Sequence, residues 1–341
     1  MRVLILGGTG FLGRHLAEGA LARGHAVTLF HRGRSNPGIL QGAEHLLGDR
    51  ESDLSALRGR IFDVVIDPSG YEVGPVRAAA RVVAHPGVHY LFVSSISVYA
   101  DFARTEESAA VRSLPDAENA ALSLEAYGAL KAACERALDE ELPGRVLHVR
   151  AGLILGPHDY DQRFRYWLTR IARGGEVLAP GDPEAPAQQI DARDLAGWIL
   201  SCAEARVTGV FNATGPVMRM RTLLETLRDV VGGDARFTWV PDDILLAHSV
   251  APYSEMPFWL PASMGTRPVD IARALAAGLS FRPFAETARD TWAWLQAGWE
   301  AESSVRENRK LRVPGGMTTE REARILEAAR GVVPAAPGAA V

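Results

Sequence analysis

Along residues 1 to 150, short β-branched and aliphatic runs alternate with stretches whose apolar positions recur at helical spacing. The runs at Arg2 to Leu6, Ala26 to Phe30, Val64 to Asp67, His89 to Ser94 and Val146 to Val149 predict strands. Between them, Phe11 to Ala22 sets Leu12, Leu16 and Ala20 on one face of a helix, and Val76 to Ala84 does the same with Val76, Ala79, Ala80 and Val83. Leu124 to Leu142 is a further helical stretch. Such alternation builds βαβ units whose helices cover a sheet, so the expected class is α/β with a doubly wound parallel sheet.

Beyond Arg150 the rhythm loosens. An aromatic helix is expected around Phe164 to Ile171, followed by a Pro/Gly-rich segment, APGDPEAPA, that no regular element can contain. A strand and helix return at Gln188 to Ala205 with Asp191 as N-cap, then a strand at Val210 to Ala213. The expected division is a nucleotide-binding domain over 1–150 that also takes in about 188–213. A smaller, interleaved substrate lobe would follow over 151–300, and then a tail over 301–341. The tail offers one helical stretch, Glu320 to Ala329, and ends in AAPGAAV, which buries little and is expected to fray.

With 47% hydrophobic and 23% charged residues, the chain lies in the globular range. Its formal net charge of -4 provides no positive field to gather nucleic acid or anionic lipid, leaving small molecules as the expected partners. The first apolar run breaks off at Gly7 and reads as a strand, since a secretion signal needs roughly 7 to 15 apolar residues. No run reaches the roughly 18 uncharged apolar residues of a membrane span. Cys134 and Cys202 do not make a disulfide framework, and a reducing, cytoplasmic location is expected. The histidines show no spacing that fits zinc, so no metal site is expected, and no G-x-S-x-G elbow points to a hydrolase.

Gly7-Gly8-Thr9-Gly10-Phe11-Leu12-Gly13 stands where the first strand gives way to a helix. Glycines there permit a tight turn and let backbone N–H groups approach a pyrophosphate seated on the helix's positive end. This marks a Rossmann-type dinucleotide site in which Gly7, Thr9, Gly10, Phe11, Leu12 and Gly13 line the phosphates. A site for NAD usually places a carboxylate after the second strand to hold the ribose hydroxyls. Here that end reads His31-Arg32-Gly33-Arg34, and Arg32 and Arg34 suit a 2′-phosphate. NADP is therefore expected over NAD. Asp49, in HLLGDR, is placed either to touch the adenine or to serve as an ordinary turn aspartate.

In Tyr127-Gly128-Ala129-Leu130-Lys131 a phenol and an ammonium lie one helical turn apart on the same face. An ammonium favours the phenolate and so makes a better base of a group whose ordinary pKa is near 10. The segment FVSSISVY brings Ser94, Ser95 and Ser97 to the carboxyl edge of the sheet, where open α/β folds bind their ligands. Ser94 would point the other way along a strand and reads as structural, and Ser97 as a loop cap. GGTGFLG, SSISVY and YGALK, in this order over roughly residues 1 to 300, resemble the extended short-chain dehydrogenase/reductases, the NAD(P)-dependent epimerase/dehydratase family. The resemblance implies that Ser95 holds the reacting oxygen, Tyr127 is the acid/base and Lys131 its partner. It also implies a homodimer formed through the helix bearing Tyr127 and Lys131.

Residues 150–194 resemble a bacterial subgroup of the family in which GP-x-D...RF-x-YW and QxID-x-RD stretches line the substrate cleft. The implied contacts are Arg163, Tyr166, Trp167 and Gln188, with His158 at the rim. From the residues alone, Tyr166 and Trp167 are equally core aromatics, and Arg163 equally the partner of Asp159 or Asp161. The leading expectation is an NADP(H)-dependent oxidoreductase acting on a carbonyl or alcohol. A sugar-nucleotide epimerase would use the same three residues. A non-catalytic cofactor sensor or RNA-associated relative would often lack the Tyr/Lys pair, and this chain keeps it.

Overall fold

The computed structural model describes residues 1–36, 38–298 and 315–332. Its centre is a parallel seven-stranded sheet. Six of its strands are β1 (Arg2–Leu6), β2 (Ala26–His31), β3 (Glu44–Leu47), β4 (Val64–Asp67), β5 (His89–Ser95) and β6 (Val146–Ala151), and the seventh is Gly209–Ala213. Their spatial order is Gly209–Ala213, β6, β5, β4, β1, β2, β3. The order turns back between β1 and β4, which leaves the crevice typical of doubly wound sheets at the carboxyl ends of those strands.

The strands read as continuous apolar runs because both faces are covered. Val3, Ile5, Leu91 and Val93 face one way, into a core with α1 (Phe11–Ala22) and, later in the chain, Ala192–Glu204. Leu4, Leu6, Tyr90 and Phe92 face the other, toward α2 (Val73–Val83) and α3 (Tyr127–Glu141). The expected strands and α1 stand where the pattern placed them, while α2 begins earlier than expected and α3 begins at Tyr127 rather than Leu124. Asp191 caps Ala192–Glu204 by accepting from the Arg193 N–H at 2.7 Å.

The chain divides into two compact units. The first takes in 1–160, 188–216 and, of the described residues, 267–298, so this last stretch belongs with the sheet and not with the second lobe expected over 151–300. The second comprises 161–187, 217–266 and the described 315–332. Within it, α4 (Gln162–Ala172) buries Phe164 and Trp167, and the strands Glu176–Pro180 and Arg236–Val240 pair in parallel. A buried Glu322 ties the helix Thr319–Val332 to this unit by accepting from Arg170 Nε at 2.6 Å and from the Leu178 N–H at 3.0 Å. The AAPGAAV end lies outside the described residues. Among the described residues, no helix is long and apolar enough to cross a membrane.

Candidate active site

Three chain segments meet at the carboxyl edge of the sheet: the glycine loop after β1, the turn after β4 and the turn after β5. In the first, Gly10 is the N-cap of α1 with no side-chain hydrogen bond, and no acidic residue stands in the helix's first turn. A Cβ at Gly10 would meet nothing within 4 Å, whereas one at Gly13 would lie 2.5 Å from the Gly7 carbonyl oxygen. Gly13 thus lets α1 press against β1, and Gly10 leaves the helix's positive end approachable. These features fit a dinucleotide pyrophosphate.

At the turn after β5, Ser95 Oγ accepts from the Ser97 N–H at 3.1 Å. Ser94 is buried, and its Oγ has no hydrogen-bond partner among the described residues. Gly128, the second residue of α3, explains how the helix reaches this turn, since a Cβ there would lie 2.0 Å from the Ser97 carbonyl oxygen. Glycine therefore brings Tyr127 and the serine turn together, a role that its sequence neighbours do not reveal.

One turn further along α3, the Lys131 side chain is almost fully buried. Its Nζ donates to the Gly70 carbonyl at 2.6 Å and to the Val93 carbonyl at 2.7 Å. Burial lowers its pKa to about 8. Nearby, Asp67 at the end of β4 is wholly enclosed, yet it accepts from Arg50 at 2.6 and 2.9 Å, from the Ser69 N–H at 3.0 Å and from the Tyr90 hydroxyl at 2.9 Å. Burial pushes its carboxyl up, but the charge and bonds of Arg50 prevail and hold it below the ordinary carboxylate value. This Arg50-Asp67-Tyr90 cluster escaped sequence reading because it joins separate turns and strands.

The cofactor residues expected after β2 are placed less uniformly. Arg32 and Arg34 are exposed. His31, the first residue of the HRGR run expected to face the cofactor, is buried. Its Nδ1 accepts from the Gly33 N–H at 3.0 Å, so the neutral ring carries its proton on Nε2, 2.8 Å from Nδ1 of His45. Burial, with His45 beside it, lowers the His31 pKa. Asp49 makes a turn, its Oδ1 accepting from the Glu51 N–H at 3.1 Å.

The residues expected to contact substrate are placed as follows. Trp167 is fully buried and donates from Nε1 to the Pro257 carbonyl at 2.9 Å, and Tyr166 packs against it as a second core aromatic. Arg163 pairs with Asp161 at 2.7 Å and lies over the Tyr253 ring. Gln188 uses its amide on backbone, donating to Gly215 and Val269 carbonyls and accepting from the Val269 N–H at 2.7 Å. His158, at φ +67°, sits against α1, with Nδ1 3.2 Å from Arg14 and its ring facing His15 and Trp294. An aromatic-rich helix reads alike in sequence whether its rings face a core or a ligand, and here Tyr166 and Trp167 are buried.

A glycine loop, a serine turn and the start of the helix bearing Tyr127 and Lys131 thus stand at the carboxyl edge of one parallel sheet. Residues 3–63 match the model of the NAD dependent epimerase/dehydratase family. The Chloroplast stem-loop binding protein of 41 kDa b from Arabidopsis thaliana is 28% identical over 235 residues, covering 63% of this chain and 58% of that protein. Among solved structures, UDP-glucuronic acid 4-epimerase from Bacillus cereus, in complex with NAD, superposes with a TM-score of 0.64 at 15% identity, covering 87% of this chain and 99% of that one. A putative epimerase from Burkholderia cenocepacia J2315 gives 0.65 at 19% identity, covering 87% and 98%. At such identities the likeness is one of fold.

Proposed function

We propose that the protein is an NADP(H)-dependent oxidoreductase acting on a carbonyl or alcohol of a small molecule, with Ser95, Tyr127 and Lys131 as its working groups. The observation that carries this reading is the approach of α3 to the serine turn through Gly128, with Lys131 held one turn deeper. In the reductive direction, Ser95 donates a hydrogen bond to the reacting oxygen, and Tyr127 gives its phenolic proton to the alkoxide that develops there. Lys131 stabilises the resulting phenolate by its charge. Oxidation runs through the same groups in reverse. When bound, the nicotinamide supplies or accepts the hydride. Gly7, Thr9, Gly10, Phe11, Leu12 and Gly13 would hold its pyrophosphate. Arg32 and Arg34, in a segment without a carboxylate, favour a 2′-phosphate.

A titration of NADPH against NADH, followed by a carbonyl panel, tests this reading. Tighter NADPH binding is expected, together with NADPH consumption equal to product formed. Tyr127→Phe should retain cofactor binding and lose roughly 10²- to 10⁴-fold in turnover. Equal affinities would remove the preference for NADP. Unchanged turnover in Tyr127→Phe would remove Tyr127 from the chemistry.

The second reading is an epimerase, supported by the epimerase structures that share the fold. It would convert substrate without net change in the cofactor, so the same assay separates the two. The stem-loop binding in the name of the Arabidopsis relative raises binding of a nucleic-acid stem-loop as a third outcome. Retention of an RNA stem-loop without cofactor turnover would favour it over both enzymatic readings.

A further inference from the structure

We propose that Tyr71 is a positioning residue whose ring face holds the Lys131 ammonium in its charged form beside Tyr127. This deepens the proposed function and rests on it. The ammonium has three N–H groups, of which two go to the Gly70 and Val93 carbonyls. Neither partner is a carboxylate. Two aromatic faces flank the nitrogen: Phe92 from β5, its centroid 4.6 Å away, and Tyr71 from the turn between β4 and α2, at 4.9 Å. The centroid of the Tyr71 ring also lies 6.3 Å from that of Tyr127, so the ring neighbours both members of the pair.

The turn that delivers Tyr71 is closely fitted. A Cβ on Gly70 would come within 2.8 Å of Asp67 Oδ2, 2.8 Å of Phe92 Cε2 and 2.7 Å of Val76 Cγ2. Glycine therefore allows the turn to lie on the enclosed carboxylate, with its carbonyl on Lys131 and the next side chain over the nitrogen. Burial draws the Lys131 pKa down to about 8. The charged and titratable groups acting on it are Cys134 and Glu135 from its own helix, Asp67 from β4 and Arg50 from the turn after β3. Asp67 spends its oxygens on Arg50, Ser69 and Tyr90. The negative faces of two rings, aided by two carbonyl dipoles, are what surround the cation directly.

The sequence makes the test direct, because Lys131 and Lys310 are its only lysines. The full-length protein would be labelled with ¹³Cε-lysine and titrated by NMR, with Lys310→Arg to assign the signals. Tyr71→Phe keeps the ring face and should titrate as the wild type does. Tyr71→Leu should lower the Lys131 midpoint by roughly half a pH unit or more, and the alkaline limb of NADPH turnover should move with it. A trifluorophenylalanine at position 71 keeps the shape while emptying the ring face of negative charge, so it guards against a misfolded Leu variant and should shift the midpoint likewise. Unmoved titration in both the Leu and the fluorinated proteins would overturn the proposal, as would a shift in Tyr71→Phe equal to that in Tyr71→Leu. Either result would leave the dehydrogenase reading standing. That reading fails separately if the wild type binds neither NADPH nor NADH.

Discussion

Lys131 carries its charge where burial penalises it, and that sets the pH range in which it works. Its proton is lost as pH rises through about 8, so turnover is expected to fall above that value, against about 10.5 for a free lysine. A pH–rate profile flat to pH 10 would contradict this. Asp67 presents the opposite case, a buried carboxylate kept charged by Arg50. Arg50→Met should cost about 3–5 kcal/mol in urea unfolding because it strands that charge. The depressed carboxyl of the wild type contributes stability above the ordinary carboxylate range, and this is lost as pH falls through it. In the variant the carboxyl pKa rises instead, so its deficit should shrink toward pH 4. Tyr127 and Lys131 were legible in the sequence because their relation is local, four positions on one helix. Tyr71, Gly128 and Asp67 were not, since each matters through a segment distant in the chain.

At the scale of elements, the glycine loop separates support of the fold from binding. Gly10 and Gly13 look equivalent in the motif, yet only Gly13 has backbone against it. Gly13→Ala must push α1 off β1 and should lose roughly 1–3 kcal/mol of stability along with cofactor affinity. Gly10→Ala, at an extended φ of -99° with open space around it, should change stability by less than about 1 kcal/mol. It should still weaken NADPH binding, because the methyl group stands on the approach to the helix end. Thermal unfolding and a cofactor titration on both variants check the pair, and equal loss of stability in the two would refute the distinction. Strands and α1 could be placed from periodicity alone because both faces of the sheet are apolar. The start of α3 could not, since it is set by contact with Ser97.

For the whole molecule, the pattern conveyed a nucleotide-binding sheet that takes in later segments, but it could not assign 267–298 to that unit, because their partners in the first unit lie far back along the chain. Assembly is a sharper case. The resemblance implies a dimer through α3, but Ala129, Ala132 and Ala133 of that helix are buried within the chain, Ala132 against Val98 and Tyr99. The exposed residues of α3 are Arg136, Asp139 and Glu140. Beside them, Arg77 of α2 already pairs with Glu118, Glu140 and Glu141, and Arg81 with Glu141. Stable interfaces have cores depleted of charge, and a second copy docked here would have to desolvate these satisfied pairs. No stable association through this face is therefore expected at micromolar concentration and physiological salt. Reversing charge with Arg136→Glu should leave the mass found by light scattering unchanged, whereas a wild-type dimer that this substitution dissociates would show that the face is used.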